Sequence, residues 1–217
     1  MKNILIVSRS FYPMSSPRSF RTTELVKEFA RQGHNVKLLT LRNDEVHDQF
    51  EEQHGVEIQD FGPLRLPKIA SMGRGKVTGR IAWILSRIID HLFEYPDIEL
   101  AYRVKEALKN ESGYDLLISI AVPHPIHWGV AWARSQNYVI ADVWAADCGD
   151  PYMGFKMDRF NKPFYFKYVE KYFCRRADYI TVPVEEAQKA YYSEFINKIE
   201  VIPQGFKFDD VDIDSST

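Results

Sequence analysis

Short runs of apolar residues, each about the length of a β-strand, recur along the chain between polar segments. They lie at residues 4–7, 36–41, 116–120, 139–141, 179–182 and 200–202, with a weaker run at 56–61. Helical spacing of apolar residues fills most of the intervals, and continuous apolar runs are typical of strands that are buried on both faces. The pattern therefore predicts an α/β fold: a Rossmann-like, doubly wound parallel sheet with helices on both faces.

Three segments have the spacing of amphipathic helices. Residues 22–32 place four apolar side chains on one face, and Gly33 follows where a helix cap is expected. Residues 76–93 divide clearly into an apolar and a polar face, and residues 98–109 form a shorter pattern. Between residues 44 and 75 glycines and prolines interrupt the periodicity, which predicts loops. No repeat or internal linker is evident, so one domain is the simplest organisation.

Composition excludes several classes of protein. The 217 residues are 45% hydrophobic and 27% charged, as in ordinary globular domains, and the net charge of −2 offers no basic field for nucleic acid. The N-terminus has too short an apolar run for a signal peptide or a membrane span, so we expect a cytoplasmic protein. Cys148 and Cys174 fit that compartment as free thiols and lack zinc-site spacing.

Arginines follow the first predicted strand. Arg18 and Arg21 lie in a loop that leads to the first predicted helix, and in doubly wound sheets ligands bind at the carboxyl ends of the strands. Backbone N–H groups and a helix N-terminus there would suit a phosphate. The chain has neither a Gly-x-Gly-x-x-Gly nor a Walker sequence, so dinucleotide and P-loop sites lose their main support. The competing interpretation is that both arginines are solvated surface charges.

Two histidines follow the run at 116–120. His124 and His127 would face the same edge of the sheet, where an imidazole can serve as a base, an acid or a neutral hydrogen-bonding group. We take both as candidate catalytic residues. A purely structural histidine is the common alternative.

Carboxylates and aromatic side chains follow the run at 139–141. Asp142, Asp147 and Asp150 could hydrogen-bond sugar hydroxyls, and Trp144 or Tyr152 could cover a sugar ring, so this segment is the candidate acceptor site. Three acids also resemble part of a metal site, but no second cluster supplies further ligands, and we expect no metal. Asp150 could equally cap a helix.

Cations mix with aromatic residues in two stretches, residues 74–87 and 156–176. A basic amphipathic surface of this kind would allow peripheral contact with the inner face of a membrane. In the second stretch Tyr165, Tyr168 and Tyr172 also have the spacing of a helix that packs on a sheet, which favours core packing there.

Three motifs together resemble one family. They are the strand, loop and helix of residues 4–33 with Phe11-Tyr-Pro, the block Arg176-Ala-Asp-Tyr-Ile-Thr-Val-Pro, and the closing Lys198-Ile-Glu-Val-Ile-Pro-Gln-Gly-Phe. In this order and spacing the chain resembles the N-terminal, acceptor-side domain of a GT-B glycosyltransferase of the family 4 type. The closing segment resembles the point where the first lobe of such enzymes passes to the second.

The resemblance implies a function and roles for residues. It implies retaining transfer of a sugar from a nucleotide-sugar to a hydroxyl of a glycan or lipid-linked acceptor, with no required metal or other cofactor. Ser15 and Ser16 stand where the family often has two glycines, and with Arg18 they would face the donor phosphates; a histidine would lie near the acceptor hydroxyl. Residues 1–205 would be the N-terminal domain and 206–217 the start of a linker, with the C-terminal domain absent and the isolated half inactive.

Two other functions remain to be compared with this one. A self-contained Rossmann-like binding or regulatory module would need no second lobe, and a gene that ended at Thr217 would favour it. An NAD-dependent sugar-modifying enzyme is disfavoured, because the glycine fingerprint and a Tyr-x-x-x-Lys pair are both missing.

Overall fold

Seven parallel strands form one sheet in the computed structural model, which describes residues 1–69, 76–134, 138–149, 151–153 and 162–204. The strand order is β3-β2-β1-β4-β5-β6-β7. The strands are β1 Asn3–Ser8, β2 Asn35–Thr40, β3 Glu57–Asp60, β4 Tyr114–Ile120, β5 Ala141–Asp147, β6 Tyr179–Val182 and β7 Ile199–Val201. The predicted Rossmann-like parallel sheet is thus confirmed.

Helices cover both faces of this sheet. They are α1 Pro17–Arg31, α2 Asp44–His54, α3 Lys76–Phe93, α4 Glu99–Ala107, α5 Pro125–Ala133, α6 Phe166–Arg176 and α7 Glu185–Lys189. Successive residues of a strand point to opposite faces, so Ile4 and Ile6 pack in one core with residues of α1 and α2, while Leu5 and Val7 pack in the other with residues of α4, α5 and α6.

The order of the strands reverses beside β1. From β1 the chain continues outward through β2 and β3, and β4 then returns to the other side of β1, with Ser8 in register with Ile120. This is a topological switch point, where the loops after two neighbouring strands diverge and leave a crevice. The crevice at the carboxyl ends of β1 and β4 is therefore the place to look for a ligand site.

Two element boundaries and one additional helix differ from the sequence prediction. α1 begins at Pro17 rather than residue 22, because Ser16 caps it: its Oγ accepts a hydrogen bond from the Ser19 amide at 3.1 Å, and a proline suits the first helical position. α2 lies in a region that was predicted to be loops. β5 begins at Ala141, where the predicted strand ended, and continues to Asp147. The predicted helix at 76–93 is confirmed.

α3 exposes its apolar face. Ile84, Leu85 and Ile88 are 45–48% exposed, and Trp83 is 58% exposed. α6 differs, since it buries Phe166 and Phe173 but exposes Tyr168 and, at 37%, Tyr172, so the prediction of core packing was wrong for those two tyrosines. Within the described ranges, no helix is both long and apolar enough to cross a bilayer.

Candidate active site

Residues from three segments of the chain meet at the carboxyl edge of the sheet. Arg18 comes from the first turn of α1, His124 from the loop between β4 and α5, and Gly149 from the segment after β5. Each segment leaves the end of a strand at or next to the switch point, which is why residues so distant in sequence converge there.

The Arg18 guanidinium lies directly against the α-carbon of Gly149. A Cβ added at Gly149 would stand 1.4 Å from Nη2 and 2.6 Å from Cζ of Arg18. Within the described part of the chain, the guanidinium makes no hydrogen bond or ion pair; only the Arg18 carbonyl has a partner, the Thr22 hydroxyl at 2.9 Å. Arg18 is half-buried, so an anion that entered the crevice could reach it.

Arg21, one turn further along α1, is engaged within the fold. Its Nε donates to Asp147 Oδ2 at 2.7 Å, and its Nη1 donates to the Pro203 carbonyl at 3.3 Å. The Thr181 hydroxyl donates to Asp147 Oδ1 at 3.0 Å. Asp147 is only 3% exposed, so its carboxylate, a predicted acceptor ligand, is buried and already paired.

His127 is a core residue. It is fully buried in α5, its Nδ1 lies 2.7 Å from Ser119 Oγ, and its Nε2 lies 3.3 Å from Cys148 Sγ. Its ring also stacks on Phe173. Burial above all, with the positive charge of Arg18, lowers the pKa of His127 well below its usual value, so the ring is neutral near pH 7.

His124 stands at the N-terminus of α5 and is the better placed of the two histidines. It is 8% exposed, and its Nδ1 has no hydrogen-bond partner among the residues that the structure describes. Burial, followed by the positive charges of Lys162 and Arg18, lowers the pKa of His124 to about 3. The ring is therefore neutral, with one nitrogen as a donor and the other as an acceptor. Since Nδ1 is enclosed, a ligand in the crevice would meet the Nε2 side of the ring.

An aromatic and ionic cluster borders His124. Tyr152 lies edge-on to His124 with ring centroids 4.9 Å apart, and its hydroxyl donates to Glu94 Oε1 at 2.5 Å. Glu94 also pairs with Lys162, whose Nζ lies 4.8 Å from the centre of the Tyr152 ring. Burial and the Glu94 carboxylate raise the pKa of Tyr152. Because Glu94 directly follows α3, the cluster joins that helix to the site.

The structure places two predicted acceptor residues elsewhere, because β5 extends beyond the predicted strand. Asp142 is exposed at the second position of β5, five residues before Asp147, and so about 17 Å from the carboxyl edge. Trp144 is fully buried, and its indole N–H donates to Ser119 Oγ at 2.8 Å, so it cannot cover a sugar ring. The placement corrects both assignments.

The remaining predicted residues have simpler outcomes. Ser15 is exposed next to the site, whereas the Ser16 hydroxyl is occupied as the helix cap. Asp150, and the parts of the two basic stretches at residues 74–75 and 156–161, lie outside the described residues. Among the described residues, no group of three His, Cys, Asp or Glu side chains could hold a metal ion.

Sequence reasoning missed Gly149, Glu94 and Lys162. Each reaches the site only through tertiary contacts, from the segment after β5, the end of α3 and the residues before α6. A glycine two residues after a strand that ends at the ligand edge was the one available signal, since glycines occur where another group approaches the backbone closely.

The seven-stranded parallel sheet with helices on both faces defines the class of the domain, a Rossmann-like α/β fold with a ligand crevice at its carboxyl edge. The sequence model of Glycosyltransferase Family 4 matches residues 20–210, which is most of the chain. The chain therefore belongs to glycosyltransferase family 4. No curated protein sequence matches it.

Two solved glycosyltransferase structures are similar in fold. A glycosyltransferase from Rickettsia africae has a TM-score of 0.52 at 13% identity, covering 96% of this chain and 44% of that one. Arabidopsis thaliana UGT89C1, complexed with UDP-L-rhamnose, has a TM-score of 0.51 at 11% identity, covering 99% of this chain and 55% of that one. This chain thus spans about half the length of these structures, and at such low identities the likeness concerns the fold alone.

Proposed function

We propose that this chain is the acceptor-side half of a retaining glycosyltransferase that moves a sugar from a nucleotide-sugar to a hydroxyl group. One observation carries the proposal: a half-buried arginine without a partner in the described residues lies beside a buried neutral histidine, at the switch point of the sheet. Membership of glycosyltransferase family 4 supports the same reaction.

Arg18 would meet the donor phosphates. A departing nucleoside diphosphate develops negative charge, and a preorganised guanidinium can bind two of its oxygens at once. Arg18 lies in the first turn of α1, where the partial positive charge of a helix N-terminus adds to its own. Ser15 and the backbone N–H groups of Ser16 and Arg18 would complete the phosphate contacts, since Pro17 has no N–H to donate.

His124 would orient the acceptor hydroxyl. A base whose pKa is about 3 is too weak to take a proton from an alcohol by itself, so the neutral ring would act as a hydrogen-bonding group. Tyr152 packs edge-on against His124 and is only 6% exposed, so it would hold the imidazole in place rather than cover a sugar ring. His127, which is held by Ser119 and Cys148, would support this arrangement from within the core.

The rest of the enzyme would be supplied by a second lobe. Residues 1–205 would form the first domain and 206–217 the start of the linker, and donor selection would belong largely to the other half. Arg18 provides only part of the charge that a leaving diphosphate requires, so the isolated half would be inactive. We propose that no metal is required.

A lipid-linked acceptor would explain the exposed face of α3. Its uncovered apolar side chains lie beside the exposed Arg80 and Arg87, a combination that suits the interface of an anionic membrane. The cytoplasmic face would be the place of action. The cluster of Glu94, Lys162 and Tyr152 would connect this membrane-bound helix to the acceptor site.

Vesicle binding tests the membrane contact. The variant Ile84→Ser/Ile88→Ser should bind vesicles of phosphatidylcholine and phosphatidylglycerol at least about tenfold more weakly than the wild type, because two apolar side chains no longer enter the interface. Ile196→Ser is the matched control, since Ile196 is 45% exposed but lies far along the chain from α3. Equal binding by all three proteins would contradict the contact.

Transfer assays test the reaction. The full-length gene product is incubated with a panel of nucleotide-sugars and hydroxyl acceptors, and the anomeric configuration of the product is determined by NMR. We expect transfer with retention from at least one donor. Inversion would contradict the proposed stereochemistry, and neither transfer nor hydrolysis with any donor would contradict the proposed function.

A further inference from the structure

We propose that Gly149 is a positioning residue that seats the Arg18 guanidinium at the carboxyl edge of the sheet. The contact between Gly149 and the Arg18 guanidinium, called the seat below, does not depend on the function proposed above. Only the link from this contact to catalysis rests on that function. Nothing in the sequence pattern or in the family match assigns a role to Gly149.

Space, rather than backbone conformation, requires a glycine at this position. Gly33, Gly55, Gly62 and Gly113 all have positive φ, and a Cβ on any of them would meet nothing within 4 Å. Gly149 is the reverse case, because its φ lies outside the left-handed range and its missing side chain leaves the space that Arg18 occupies. A Cβ there would overlap Nη2 at 1.4 Å and approach Cζ at 2.6 Å and Nε at 3.4 Å.

Contact with Gly149 holds the Nη2 end of Arg18 while leaving Nε and Nη1 available as donors. Arg21 on the same helix is fixed by hydrogen bonds to Asp147 and Pro203, whereas the Arg18 guanidinium has no such bonds in the described ranges. The distances from the Gly149 Cβ position rise from Nη2 through Cζ to Nε, so the Nη2 end of the guanidinium faces the Gly149 backbone while Nε and Nη1 point away from it. The Arg18 backbone is held in α1, where its carbonyl accepts a hydrogen bond from the Thr22 hydroxyl.

The seat makes Gly149→Ala an informative variant. The atoms that a methyl group would displace are the far end of a flexible side chain, so we expect the protein to fold and Arg18 to move away. Gly129 is the matched control, because it also has an ordinary backbone conformation but its Cβ would meet the Ala101 carbonyl at 2.6 Å and Val104 Cβ at 2.8 Å. Gly129→Ala should lower the melting temperature and leave Arg18 in place.

The first measurement is the Nε–H resonance of Arg18 by ¹⁵N NMR in the full-length protein. We expect Gly149→Ala to shift this resonance and leave that of Arg21 unchanged, and we expect inorganic pyrophosphate to perturb it in the wild type only. If the Arg18 resonance is unchanged in Gly149→Ala, the inference that Gly149 positions Arg18 is wrong. Should that variant not fold, Arg18→Ala/Gly149→Ala must fold, because the space is then empty; a double variant that also fails to fold would overturn it too.

The second measurement is a double-mutant cycle on sugar transfer. Arg18→Ala should reduce kcat/KM by about 10²–10³, as removal of one donor to a developing negative charge does in other enzymes. Gly149→Ala should cause a similar loss, and the double variant should lose no more than either single one. If the fold-reductions in kcat/KM of the two single variants multiply in the double variant, the inference is contradicted. A shifted Arg18 resonance with full transfer activity would support the seat and refute the phosphate role, so the two failures can be distinguished.

Discussion

The buried ion pair of Arg21 and Asp147 should be a main support of the carboxyl edge. Their side chains are 11% and 4% exposed, with Nε and Oδ2 at 2.7 Å, and the Thr181 hydroxyl binds the other carboxylate oxygen. Arg21→Met keeps most of the apolar stem but leaves the Asp147 charge without its cation. Removing one partner of a buried pair typically costs about 3–5 kcal/mol. For a chain of this size, that corresponds to a loss of about 6–20 °C in Tm.

Urea unfolding followed by circular dichroism measures this cost. The matched control is Arg31→Met, since Arg31 pairs with Glu28 at the surface, where the two side chains are 73% and 46% exposed. An exposed pair contributes at most about 1 kcal/mol. The double variant Arg21→Met/Asp147→Asn no longer buries an unpaired carboxylate. Its loss of unfolding free energy should therefore be smaller than the sum of the losses in Arg21→Met and Asp147→Asn.

A specific result would refute this reasoning. If Arg21→Met costs no more than Arg31→Met, and if the losses of Arg21→Met and Asp147→Asn simply add, the two residues do not form the stabilising pair described above. Asp147 would then be available to a sugar hydroxyl, as the sequence alone predicts.

Three further predictions concern the residues around the site and the exposed face of α3. Ser119→Ala should lower stability by about 1–3 kcal/mol in urea unfolding, because the buried Trp144 indole and His127 ring lose a partner; Ser119→Thr should recover part of it. Because the pKa of His124 falls from 6.5 to about 3 on folding, the unfolded chain binds a proton that the folded chain does not as the pH falls from 6.5 towards 3, and this group should lower stability by up to about 1.4 kcal/mol per pH unit. His127 contributes with the same sign, so His124→Phe should reduce the slope without abolishing it. Ile84→Ser should change the free energy of unfolding by less than about 0.5 kcal/mol, against about 2–5 kcal/mol for the buried Leu100→Ala, and equal costs would contradict the exposure of α3.

Apolar periodicity was sufficient to predict the sheet, but it placed the ends of some strands and helices wrongly. The runs at 4–7 and 116–120 became β1 and β4, since strands buried on both faces are apolar throughout. β5 was cut short because exposed Asp142 interrupts its apolar pattern, and the burial of Trp144 depends on neighbouring elements. The start of α1 could have been found from Ser16 and Pro17, which are common residues at a helix N-terminus.

The site was predictable in place but not in its contacts. The order of strands and helices indicates which loops meet, and Arg18 and His124 do lie at that edge. Sequence spacing cannot tell which of two arginines one turn apart pairs with a distant carboxylate, or that Gly149 leaves space for the other. Those outcomes depend on distances across the sheet, between segments more than 100 residues apart in sequence.

The most direct test of the central claim is the effect of Arg18→Ala on sugar transfer by the full-length protein. With a donor that supports transfer, kcat/KM is compared for the wild type and the variant, and circular dichroism confirms that both are folded. The account predicts a fall of about 10²–10³, because the leaving diphosphate loses a preorganised cation. Transfer by the variant at the wild-type rate would contradict the claim that this edge of the sheet binds the donor phosphates.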